Sequence, residues 1–149
     1  MKIGVAPRKI LGGALLALSL ASSATAAPQI AVTDAWIRAL PGKLPAGGYF
    51  TLHNGLTKAL TLDGAASPAC KSLMLHKSDT MGGMASMSDV ATIDVPAGDT
   101  LRFSPGGLHL MCMEPGPQLR RGTEITVTLH FKSGVSLPVR FQVRGANGK

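Results

Sequence analysis

Aromatic residues make up only 4% of the 149-residue chain, with a single Trp and a single Tyr. A single-stranded nucleic-acid platform stacks bases on aromatic rings, so this scarcity argues against one. Charged residues are also sparse, at 15% against 45% hydrophobic, which excludes an intrinsically disordered chain. There are only eight acidic residues and no G-x-S-x-G elbow, so Ser–His–carboxylate hydrolysis lacks its parts. The two cysteines, Cys70 and Cys112, form no C-x-x-C motif. No glycine-rich loop joins a strand to a helix, which leaves nucleotide binding without support. An enzyme is the class that the residues favour least.

The formal charge of +7 looks at first like a nucleic-acid signal. Three of the cations, Lys2, Arg8 and Lys9, precede the apolar stretch Ile10 to Leu20, and Ala24-Thr25-Ala26 follows as a small-residue cleavage site. This is the pattern of a secretory signal peptide, with an apolar run too short to span a bilayer comfortably. Cleavage after Ala26 is expected to leave residues 27–149 as one domain with a net charge of +4, not inserted in a membrane. No lipobox cysteine follows the apolar run. The remaining Lys and Arg are scattered, with only Arg120 and Arg121 adjacent, so no nucleic-acid partner is expected.

Beyond residue 26 no window carries a helical period. Short runs of β-formers alternate with Gly, Pro, Asn and Asp at intervals of about 8–12 residues, the pattern of an all-β sandwich or barrel. The segment 124–131 alternates, with Ile125, Val127, Leu129 and Phe131 on one face. The segment 135–143 does the same with Val135, Leu137, Val139, Phe141 and Val143, while Pro138 predicts an edge or a break. Residues 77–89 read as a polar, glycine-rich loop between strands.

Methionine is the unusual component. Apart from Met1, all of the seven methionines lie between Met74 and Met113. His109, Met111 and Met113 share one face of a predicted strand, and Met74 and His76 share a face of another. Met81, Met84 and Met87 fall in the intervening loop. Thioether sulfur is a soft neutral donor that suits Cu(I), and imidazole tolerates Cu(I) well, whereas zinc sites favour close Cys and His pairs. A blue-copper centre needs a thiolate, but strand parity turns Cys112 away from His109. The residues therefore favour a thiolate-free Cu(I) site at His76, Met87, His109 and Met111. Met81, Met84 and Met113 are secondary candidates. Met74 reads as core filler, and His53 and His130 as ordinary surface histidines.

The spacing H-x(10)-M-x(21)-H-x-M, from His76 to Met111, resembles the signature of the PCu(A)C family of periplasmic copper chaperones. The segment Thr33 to Asn54, with Trp36, Arg38, Gly48, Tyr49 and Asn54, is similar to that family's N-terminal part. So are Val95 to Gly98, Ser104 to Met113 and Leu119 to Phe131. The resemblance implies a cupredoxin-like Greek-key β-barrel that binds Cu(I) through the four named residues. It also implies a periplasmic carrier handing copper to the Cu(A) centre of cytochrome c oxidase, alongside a Sco-type thiol protein. The chain departs from some relatives in lacking a His/Met-rich C-terminal extension. It also has Cys70 and Cys112 near the ligand strands; either they pair in an oxidising compartment, or Cys112 is a buried thiol and Cys70 an exposed one. A monomer is expected. Copper buffering or resistance, an interaction domain with incidental methionines, and an electron-transfer cupredoxin are the alternative functions.

Overall fold

Alternating apolar residues and frequent turn formers produce strands throughout the described part of the chain. The computed structural model describes Gly4 and residues 29–149. The expected signal peptide lies outside the described residues. The strands are β1 (Ile30–Arg38), β2 (Ala46–Asn54), β3 (Leu60–Ala66), β4 (Cys70–Met81), β5 (Met84–Asp89), β6 (Ile93–Val95), β7 (Thr100–Phe103), β8 (Leu108–Pro115), β9 (Glu124–Phe131) and β10 (Ser136–Arg144). No helix occurs among the described residues.

Seven strands close a barrel in the order β4-β8-β2-β1-β10-β9-β3, with β3 pairing back to β4. The β1–β10 pairing is parallel and the other pairings are antiparallel. Closure leaves the wall almost without free edges. The interior holds Ile37, Phe50, Leu52, Leu62, Leu110, Val127, Leu129 and Phe141, all essentially inaccessible. Phe50 stacks on Phe103 with centroids 4.2 Å apart and meets Phe141 edge-on.

The expected inward face of β9 is observed, and Phe141 and Val143 of β10 are buried. Val135 is not inward-facing: it sits in the turn before β10, 44% exposed, where its carbonyl accepts from Phe131 N. Pro138 pairs with Thr128 of β9, while β1 joins β10 only at Gln142 to Arg144. Pro138 therefore lies where β10 is locally an edge, as its missing N–H requires.

Residues 77–89 are not a loop. β4 continues to Met81, turns through Gly82-Gly83, and returns as β5 in register, Met81 opposite Met84 and Ser78 opposite Met87. Both glycines have positive φ, 59° and 81°, the requirement of a two-residue hairpin turn of the primed type. The Gly-Gly pair was the signal for this hairpin in the sequence.

Two internal ties hold the barrel ends. Asn54 is fully buried; its Nδ2 donates to the carbonyls of Lys58 and Val95 at 2.9 Å, and its Oδ1 accepts from Leu56 N. It thus serves as an internal cap joining β2 to β6. Cys70 and Cys112 form a disulfide between β4 and β8, with Cα atoms 5.5 Å apart. The buried free thiol at Cys112 is thereby ruled out in favour of the pair.

Replacing Asn54 by Ala removes a buried donor-acceptor hub and is expected to cost about 2–4 kcal/mol, read as a lower denaturant midpoint at unchanged m-value. Reduction of the disulfide, which closes a loop of sequence separation 42, is expected to lower stability by about 2–4 kcal/mol in the same measurement.

Candidate metal centre

Two adjacent strands supply the central residues. β4 and β8 pair antiparallel with His76 directly opposite His109 and Met74 directly opposite Met111. On β4, Leu73 and Leu75 are buried, so Met74 and His76 between and beyond them face outward. On β8, Leu110 and Cys112 point into the core, and His109, Met111 and Met113 line the outer side. Directly opposed residues have Cβ atoms about 4.5–5.5 Å apart. The result is a square of two imidazoles above two thioethers on the barrel wall.

The histidines are poised differently. His109 is 4% exposed, and its Nδ1 lies 3.0 Å from the Gly107 carbonyl. A carbonyl only accepts, so Nδ1 carries a proton, and in the neutral ring Nε2 keeps its lone pair. The same carbonyl accepts from Ser78 N, tying the ring's support to β4. The His76 ring sits at 5.6 Å from that of His109, inclined by 70°. Its side chain is 14% exposed, and Asp89 Oδ1 comes within 2.7 Å of Nε2. That approach is off the line of a ring N–H, so both ring nitrogens, shielded from water, lack a hydrogen-bond partner. Buried polar atoms are almost always satisfied, so a ring whose shielded nitrogens make no hydrogen bond is a candidate metal ligand.

Met87 lies on β5 opposite Ser78, two residues from the His76–Asp89 pair and on the same face as His76. It is 63% exposed. The structure thus brings His76, His109 and Met111 together, with Met87 diagonal to His76. Met113 continues the β8 row opposite Ser72. Met81 and Met84 do not join the group. They pair with each other beside the hairpin turn at the opposite parity, each 76% exposed. Met74 was missed as a candidate: it is half-buried on the outer face rather than in the core. Its register opposite Met111 reveals it, and register is not visible in one sequence.

Among the described residues no group of three or more His, Cys, Asp or Glu side chains is arranged to hold a metal. The described residues thus assemble no cluster of the zinc or calcium type, and the donors that do converge are imidazole and thioether.

The wall beside β8 is filled by aromatic and guanidinium groups. Gly47 of β2 lies opposite Met111. A Cβ at Gly47 would come 2.5 Å from the Tyr49 hydroxyl, so the missing side chain lets Tyr49 fold back over the strand. Tyr49 packs on Trp36 at 4.6 Å, and the Arg38 guanidinium covers both rings. On the far side Lys71 Nζ meets Glu114 at 2.6 Å; this pairing holds the Glu114 carboxyl below the usual carboxylate range. The pair is fully solvated and adds little to stability.

The LpqE-like family model matches residues 30–143. The chain belongs to the LpqE-like family. A relative, "Putative lipoprotein Lxx21020" of Leifsonia xyli subsp. xyli, is 34% identical over 123 residues, covering 82% of this chain and 74% of the relative. Among solved structures, the copper-bound PCuAC domain from PmoF2 superposes with a TM-score of 0.65 at 20% identity, over 81% of this chain and 97% of that one. The solution structure of CuI-DR1885 from Deinococcus radiodurans gives 0.61 at 33% identity, over 74% of each chain. Apo-DR1885 gives 0.62 at 29% identity, over 99% of this chain and all of that one. The LpqE-like barrel is therefore a PCuAC-type, cupredoxin-like fold, as the spacing from His76 to Met111 had suggested.

Gly47→Ala is expected to push Tyr49 off Trp36 and to cost about 1–3 kcal/mol by overpacking. The loss would be seen as a lower Tm together with a changed tyrosine–tryptophan near-UV circular dichroism signal.

Proposed function

We propose that this protein is an exported copper-binding carrier that holds Cu(I) at His76, His109, Met111 and Met87. The observation that carries the reading is the His76 ring beside His109, its nitrogens shielded from water and not hydrogen-bonded although Asp89 stands 2.7 Å from Nε2, with thioethers on either side. The donor set selects the metal: thioethers discriminate against zinc, magnesium and calcium, and the nearest sulfurs other than Met are locked in the disulfide. The absence of a free thiolate beside the histidines also separates the site from blue-copper electron transfer. The copper-bound and CuI-bound structures of related domains support the reading.

All four donors are neutral, so bound Cu(I) retains its charge. A thiolate acceptor neutralises that charge, which favours onward transfer by ligand exchange. Delivery to the Cu(A) centre of cytochrome c oxidase, with a Sco-type thiol protein as intermediary, is the proposed route. A location in the periplasm follows from that role and from the sequence pattern of residues 1–26. A relative named as a lipoprotein supports export. Copper buffering is the second reading, favoured by the exposed methionines of the hairpin, which offer extra soft donors.

Replacing both His109 and Met111 by Ala is expected to lower Cu(I) affinity by at least about 100-fold, measured by competition with bathocuproine disulfonate at unchanged fold. Equal affinity in the double variant would exclude the site. Delivery and buffering separate in a transfer assay to the soluble Cu(A) domain: delivery predicts loading of that domain faster than copper dissociates into solution.

A further inference from the structure

Two outward-facing methionines on the ligand strands have no role in the proposed site, Met113, which lies opposite Ser72, and, nearer to the histidines along the strands, Met74. It stands two residues before His76 on β4, directly across from Met111, in the same kind of register that sets His76 across from His109. It is half-buried, whereas Met87 is 63% exposed. Met74 also lines a cleft of about 370 Å³ between β3 and the end of β5, with Asp63, Gly64 and Asp89 nearby. An unbranched side chain beside open space can change rotamer without disturbing the core.

Met87 has the opposite support. β5 pairs only with β4, and all six of its residues are exposed. A strand with so few buried contacts is among the first to open locally. The two thioethers thus flank the histidine pair, one on the barrel wall and one on a weakly held hairpin.

We propose that Met74 is a fifth donor of the copper site, which closes the shell around Cu(I) when Met87 leaves. The inference rests on the copper-carrier reading above. In the exchange the Met87 sulfur–copper bond breaks and a Met74 sulfur–copper bond forms. Both are dative bonds from neutral sulfur, copper remains Cu(I), and no proton or electron moves. The hairpin can then swing away and open the outer side of the ion to an incoming thiolate, while His76, His109, Met111 and Met74 retain it. The β4–β8 wall alone carries a complete His2Met2 set.

The test uses the full domain with Met74→Leu, Met87→Leu and the double substitution, leucine keeping the volume of methionine. Bathocuproine disulfonate competition reads Cu(I) affinity, and X-ray absorption counts sulfur ligands. Met87→Leu is expected to weaken binding by less than about tenfold and to retain two sulfurs. The double variant is expected to weaken it by at least about a further tenfold and to show one sulfur. Thermal melts of each variant show whether the fold is kept. A folded Met87→Leu protein with a single sulfur, or a double variant no weaker than Met87→Leu, would overturn the role of Met74 and leave the carrier reading intact. A wild-type domain that binds no Cu(I) would overturn both.

Discussion

The site depends on the register between β4 and β8. Side chains alternate with a period of two, so a slip of one residue would send His76 inward and bring Leu75 to the surface. Three features oppose that slip. Leu73, Leu75, Leu110 and Cys112 occupy the core side of both strands. The Cys70–Cys112 disulfide fixes one end. The Gly107 carbonyl, bonded to both Ser78 N and His109 Nδ1, fixes the other. The disulfide therefore contributes no donor to the outer face; it lies beneath the donors and holds their spacing.

The closed barrel makes this arrangement affordable in polar groups. The histidines sit on the outside of a wall whose backbone is already paired, so the rings need no rescue of the main chain. Gly107 supplies the one hydrogen bond that orients His109, and the hairpin covers His76 with Asp89. On the other side of β8, the glycine at position 47 leaves space that Tyr49 fills, and Trp36 and Arg38 pack over it. The donor face is thus rigid towards β2 and lightly held at its outer margin, where β5 pairs with β4 alone.

Much of this was legible in the sequence because it depends on parity and spacing. The period-two runs of β8 and β9 assign inward and outward residues correctly, and the His76 to Met111 spacing points to the family. What was not legible depends on pairing. Nothing local says that β4 lies beside β8, so the square that includes Met74 is invisible until the register is known. The hairpin was misread because Met81, Met84 and Met87 suggest a loop by their polar neighbours, although Gly82-Gly83 is a two-residue turn. Once it is a hairpin, parity separates Met87 from Met81 and Met84, a distinction that a loop would not impose. Val135 shows the converse limit: alternation continues into the turn, but burial stops where the partner strand stops.

A carrier must bind firmly and yet release, and neutral soft donors answer only half of that requirement, since they leave the ion attractive to a thiolate but do not say how the thiolate reaches it. Strand-borne ligands on a disulfide-stapled wall lose little conformational entropy on binding and so favour retention. In the proposed carrier, a ligand on the outlying hairpin would be ordered by the metal, and its departure would restore freedom to that segment. In the proposed site, placing the two kinds of donor on opposite sides of one histidine pair would let a single site combine both properties. The fold provides for this by pairing β4 with β8 along its stapled half and with β5 along its outer half, so that one strand belongs both to the stapled wall and to the outlying hairpin.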